Sequence, residues 1–297
     1  MTVLRYEIFG EAVDFVDCPE FAEGFLSILR GWTFRAIPYD PDRPPYLVFE
    51  KNRAGYQWRS PWLTEQQRAR RGKSRTVQDA VCDFHYEFID WYADRHPRNF
   101  CLHTAAVAFS GGAILFPAVQ KAGKSTLTMH LAMRAHPLLG DDVVAIDADT
   151  LDADALGLLP RMRLPLPARE ADPGYSDFLA ARAGLTDRHW RYAAMREDEL
   201  LPLGARMPIA AVVLLDRQPS GAAELSTVTR GEALKTLIDQ NFGIIDRPNL
   251  VYDRLRALAL QTECVRLRFS RPGEAADLLS QTFGLPGLKT LLPEAAS

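Results

Sequence analysis

Residues 113–127 constrain this chain more than any other stretch. Ala113 to Phe116 make an apolar strand, a short loop follows, and the loop ends in Gly123-Lys124-Ser125-Thr126. Leu127 and Leu131 then recur four apart, as on one face of a helix. Strand, tight loop and helix in that order place the chain in the α/β class and describe a phosphate-binding P-loop. Backbone N–H groups at the helix start point at phosphate oxygens, where the helix dipole also favours negative charge. The loop residues Ala118, Val119, Gln120, Lys121, Ala122 and Gly123, with Lys124, Ser125 and Thr126, are the expected nucleotide contacts. Lys124 would reach the β- and γ-phosphates, and the Ser125 hydroxyl would sit on Mg²⁺. The loop departs from the full pattern at Ala118, where glycine is usual, and carries Lys121 inside it. Gly72-Lys73-Ser74 repeats the short motif, but no strand precedes it, so it reads as a loop.

Two further features flank the loop. Leu138 to Ile146 reads as a short strand with Asp141 and Asp142 at its head. Phosphoryl transfer needs such carboxylates, one to hold Mg²⁺ and one to accept the proton of an attacking hydroxyl. A solvated acidic turn is the plain alternative. His103 stands at the edge of the preceding strand, Leu102 to Phe109. Downstream, the apolar strand Pro208 to Leu215 ends in Asp216, a rival Mg²⁺ ligand.

The combination resembles the HPr kinase/phosphorylase family: His103, a strand pair split by Ser110-Gly111-Gly112, the P-loop, then Asp141-Asp142. His103 lies 21 residues before Lys124, and Asp141 lies 17 after it. The likeness is nearest to the shorter HPr-kinase-related branch, found beside bacterial peptide-modification genes, and covers residues 101–147 most firmly. The resemblance implies a PEP-carboxykinase-type P-loop core. It implies that Lys124 binds phosphates, that Ser125 and Asp142 hold Mg²⁺, and that Asp141, assisted by His103, activates the acceptor hydroxyl. The related branch carries a Pro/Arg-rich strand after the paired Asp, here Leu159 to Pro167. Arg161 or Arg163 would then clamp a phosphate or an acidic substrate; a basic surface strand is the other reading. The segment that full HPr kinases carry soon after the paired Asp is missing there. Phe242-Gly-Ile-Ile-Asp246 looks like its tail but comes about a hundred residues later, so it reads as coincidence.

Composition sets limits. Of 297 residues, 47% are apolar and 25% charged, with a net charge of −3. That excludes a general affinity for nucleic acid or anionic membranes. Four scattered cysteines, with no metal-type pairs and no apolar leader, point to a reduced, cytoplasmic protein.

The expected division falls near residue 100. Residues 1–100 read as a smaller α/β accessory domain: strands near 5–9, 12–16 and 46–50, a hairpin at Asn52 to Gly55, and helices over 20–29 and 76–93. Residues 101–297 read as the kinase domain. Five basic residues crowd 66–75, either a mobile loop or a landing site for an acidic peptide. Residues 172–192 read as a lid or substrate-facing insertion. The chain is thus expected to be an ATP- and Mg²⁺-dependent kinase acting on a hydroxyl, with serine of a peptide or small protein as the acceptor class implied by the resemblance. A non-catalytic nucleotide sensor and a small-molecule kinase are the alternatives. Oligomeric state, and ATP against GTP, stay open.

Overall fold

The computed structural model describes residues 2–59, 74, 76–119, 122–166, 172, 174–242 and 248–286. Gln120, Lys121 and the basic run at 66–75, apart from Ser74, lie outside them. The chain is mixed α/β, with several sheets and helices.

Strands β1 (Val3–Ile8), β2 (Glu11–Val16), β3 (Arg35–Ala36), β4 (Leu47–Asn52) and β5 (Gly55–Arg59) form one sheet in the order β3-β1-β2-β4-β5. Helix α1 (Pro19–Ser27) and the long helix α2 (Val77–Arg95) pack together on it. The Thr76 side chain accepts a hydrogen bond from the Asp79 N–H and caps α2. Phe21, Phe25, Phe49, Phe84 and Phe88 meet in the core below. That core does not stop at residue 100, for Cys101, Val143, Ala145, Leu156, Leu158 and Tyr192 belong to it. The Trp32 indole N–H donates to the Leu156 carbonyl at 2.7 Å. A Cβ at Gly157 would stand 2.0 Å from the Arg30 carbonyl oxygen, so only glycine allows this approach.

The remaining strands are β6 (Asn99–Leu102), β7 (Thr104–Phe109), β8 (Gly112–Pro117), β9 (Leu138–Gly140), β10 (Val144–Asp147), β11 (Ala153–Asp154), β12 (Arg161–Arg163), β13 (Ala183–Thr186), β14 (Trp190–Ala193), β15 (Arg206–Met207), β16 (Ile209–Arg217), β17 (Glu224–Thr227), β18 (Asn241–Phe242) and β19 (Glu263–Phe269). Between them run helices α3 (Lys124–Met133), α4 (Tyr175–Ala180), α5 (Arg230–Asp239) and α6 (Pro248–Gln261), and α7 (Pro272–Phe283) follows. A six-stranded sheet, β17-β19-β16-β8-β7-β9, has β8, β16 and β19 parallel. Its residues alternate between two cores. Val107, Ile114, Phe116 and Val213 pack with α3 and α7, while Ala106, Leu115 and Val212 pack with α5 and α6. Both faces are covered, which is why these strands read as unbroken apolar runs. The other two sheets are β15-β11-β10-β6-β18 and β12-β14-β13.

The single strand expected over 102–109 is two strands in different sheets, broken at His103. Likewise, Asp141 and Asp142 do not head one strand. They fill the turn between β9, which pairs with β7, and β10, which pairs with β6. A Cβ at Gly140 would lie 2.5 Å from the Val143 carbonyl oxygen, so glycine permits this turn.

Candidate active site

Two of the crossovers between the β15-β11-β10-β6-β18 sheet and the six-stranded sheet, at His103 and at Asp141-Asp142, meet at one seam, and the loop after β8 opens onto it. Gly123 holds φ +90°, a left-handed conformation that glycine adopts without strain, and caps α3. A cavity of about 340 Å³ lies there. Val119, Gly123, Lys124, Ser125 and Thr126 line it from the loop after β8 and the start of α3, with His103 and Asp142 from the seam, and Met162 to Pro165 with Trp190 line it from β12 and β14.

Lys124 is 8% exposed, and its Nζ has no hydrogen-bond partner among the described residues. Burial pulls its pKa down, while Asp141 and Asp142 favour the charge. A buried ammonium without an acceptor is costly unless an anion joins it. Asp141 is 2% exposed. Its Oδ1 accepts from the Thr128 hydroxyl at 3.0 Å, and its Oδ2 has no hydrogen-bond partner among the described residues. Burial, then the neighbouring Asp142, push its carboxyl upward against Lys124, Ser125 and Thr128.

Asp142 differs from its neighbour. Its side chain is 20% exposed, takes an ion pair from Arg161 Nη2 at 3.1 Å and stands 3.9 Å from His103 Nε2. Burial pushes Asp142 up, but Arg161, His85, Lys124 and His103 outweigh it and hold the carboxyl below its ordinary value. His103 is held below its ordinary value by burial, then Lys124 and Arg161. Its N–H donates to the Gln240 carbonyl at 2.7 Å. In the orientation that satisfies it, the Gln240 amide nitrogen donates to the Ala118 and His103 carbonyls, at 3.1 and 3.2 Å. Gln240 thus ties His103 to the start of the loop after β8.

The opposite side is built from arginine and tryptophan. The Arg161 guanidinium stacks 4.4 Å from the Trp190 ring centre and Arg163 lies 4.9 Å from it. Behind them, the Tyr192 hydroxyl lies 3.2 Å from Nδ1 of His85, a buried residue of α2. The start of the 172–192 segment is fastened to α3, since Asp172 pairs with His130 at 2.9 Å and Arg134 at 3.0 Å.

The structure brings together Ala118, Val119, Ala122 to Thr126, His103, Asp141, Asp142, Arg161 and Arg163. Asp216 does not join them; it accepts from Gln218 at 2.6 Å and faces Arg268. Strand alternation instead gives the cavity Arg217. Trp190 falls in the 172–192 segment expected to face the substrate; Arg217 and Gln240 had no sequence signal, since each stands alone, far from the motif. Phe242, set aside as distant, ends β18 and pairs with Cys101 of β6, two residues before His103; the rest of that segment, 243–247, lies outside the described residues.

The residues fit a nucleotide with its cation. Among the described residues no three metal-type side chains cluster. The fit rests on the Lys124 ammonium, buried without a hydrogen-bond partner among the described residues, with Ser125 and Asp142 on the same cavity. Among the described residues, no helix is long and apolar enough to cross a membrane. All four cysteines are buried and unbridged.

No protein-family model matches this chain, and no curated protein does. Among solved structures it is similar to the Hpr(Ser) kinase/phosphatase from Coxiella burnetii, at 15% identity and a TM-score of 0.27. The match spans 62% of this chain and 87% of that one. A TM-score that low carries no argument about fold or activity.

Proposed function

We propose that this chain is an ATP-dependent kinase that transfers the γ-phosphoryl group to a hydroxyl, serine of a peptide or small protein being the preferred acceptor class. The observation that carries the reading is the buried Lys124 ammonium, without a hydrogen-bond partner among the described residues, at a P-loop beside two carboxylates of unlike surroundings. Lys124 and the loop N–H groups would hold the phosphates and neutralise charge on the γ-group. Ser125 and Asp142 would hold Mg²⁺, which when bound draws charge from the β- and γ-oxygens. The acceptor oxygen bonds to the γ-phosphorus as the bond to the bridging oxygen breaks; the hydroxyl proton goes to a carboxylate, and ADP leaves.

The resemblance assigns that proton to Asp141, with His103 assisting. Exposure favours the exchange of roles, because Asp142 lines the cavity and Asp141 lies behind it. Replacing each by Asn separates the two. The base variant keeps Mg²⁺-ATP affinity and loses transfer, and the metal-ligand variant loses both. A small-molecule acceptor is the second reading, favoured because Trp190 of the 172–192 segment lines the cavity.

The test is Mg²⁺-ATP calorimetry on the wild type and Lys124→Ala, with ADP release followed in the same samples. Binding that the variant loses by roughly a hundredfold, with slow ADP release, supports the kinase. Binding without turnover in the presence of candidate acceptors shifts the reading to a sensor. No binding by the wild type ends it.

A further inference from the structure

We infer that Arg217 is a second cationic contact for the donor's phosphates, acting beside Lys124; this rests on the nucleotide reading above. β16 runs parallel to β8, with Val212 opposite Leu115, so both strands deliver their ends to the same edge of the sheet. β8 ends at the P-loop, and Arg217 is the last residue of β16. Its side chain lies along Gly123. A Cβ built on that glycine would be 3.5 Å from Arg217 Nη1, 3.6 Å from its Cδ and 3.7 Å from the Phe269 ring. Phe269, opposite Arg217 in β19, closes the same corner. Arg217 also lines the cavity shared by Lys124, Ser125 and Asp142.

The chemistry needs a cation there. Lys124 offers one ammonium, while a triphosphate spreads several negative charges over many oxygens. Of the neighbouring arginines, Arg161 pairs with Asp142 and Arg163 lies over the Trp190 ring. A planar guanidinium beside Gly123 can take two phosphate oxygens at once, which an ammonium cannot. Because Gly123 directly precedes Lys124, the contact falls at the β- and γ-phosphates.

The test is binding of ATP, ADP and AMP, each with Mg²⁺, to full-length wild type, Arg217→Ala and Arg217→Lys, with melting curves taken without nucleotide. Arg217→Ala should weaken ATP by roughly ten- to a hundredfold, ADP by less, and leave AMP within about twofold. Arg217→Lys should fall between, since it keeps the charge and loses the fork. Equal losses for all three nucleotides would overturn the assignment in favour of a structural role, and so would unchanged ATP affinity in Arg217→Ala; both leave the kinase reading standing. A wild type that binds no nucleotide removes both readings together. Should Arg217→Ala melt early, the ATP-to-AMP ratio of Arg217→Lys decides. A ratio like wild type overturns the contact.

Discussion

The two sides of the cavity are made by opposite means. The side made by the loop between β8 and α3 is backbone held up by apolar packing, with Phe116 and Leu127 fully buried under β8 and α3. The far side is side chains held up by one another: Arg161 on Trp190 and Asp142, and Tyr192 on His85. The first resists change because a packed core is not continuously deformable. The second depends on charge and protonation, so it answers to pH.

The comparison can be broken at several points. The largest effect is expected at Phe116→Ala, which opens a cavity under the P-loop and should cost about 3–5 kcal/mol in urea unfolding. Acid comes next. Burial, then Arg161, hold His85 at about 3, against an ordinary value of 6.5. The unfolded chain takes a proton at 6.5 and the folded one refuses it, so His85 lends its full stability above that pH. The contribution is lost as pH falls through 6.5 towards about 3. Between pH 7 and 5 the loss from this group should reach about 2 kcal/mol, and His85→Gln should flatten that slope. A third change, Trp190→Ala, removes a half-buried ring and should cost only about 1–2 kcal/mol, while weakening whatever occupies the cavity. If it costs as much as Phe116→Ala, the contrast between the sides is wrong. The smallest is Tyr192→Phe, about 1 kcal/mol at pH 7, checked by denaturant midpoint.

The same contrast explains how far the chain could be read in advance. The strand–loop–helix at 113–127, the paired acids and helix α2 were legible because each is local: a strand feeding a loop, an acidic doublet, aromatics at three and four. The far side was only half legible. Arg161 and Arg163 were singled out as a basic strand, but their partners His85, Trp190 and Tyr192 are single residues that distant pairings bring in. Arg217 was missed beside Asp216 because the strand's alternation, and not its terminal acid, decides which side chain meets the loop. The break at His103 was hidden for a similar reason. Leu102 to Phe109 is one apolar run, and only the partners on either side reveal that it serves two sheets.

The aromatic core shared across residue 100 carries a practical lesson for anyone wishing to divide this protein. Scissors applied there would strip Cys101, Val143, Ala145, Leu156, Leu158 and Tyr192 of the phenylalanines they rest on. The downstream fragment would display a raw greasy face, and the upstream one would lose the acceptors of Trp32 and Arg30. Helix α2 would go with the upstream fragment, and with it His85, the residue against which Tyr192 sets the far side of the cavity. The first hundred residues are thus less a passenger than half of the mould in which the far side of the cavity is cast.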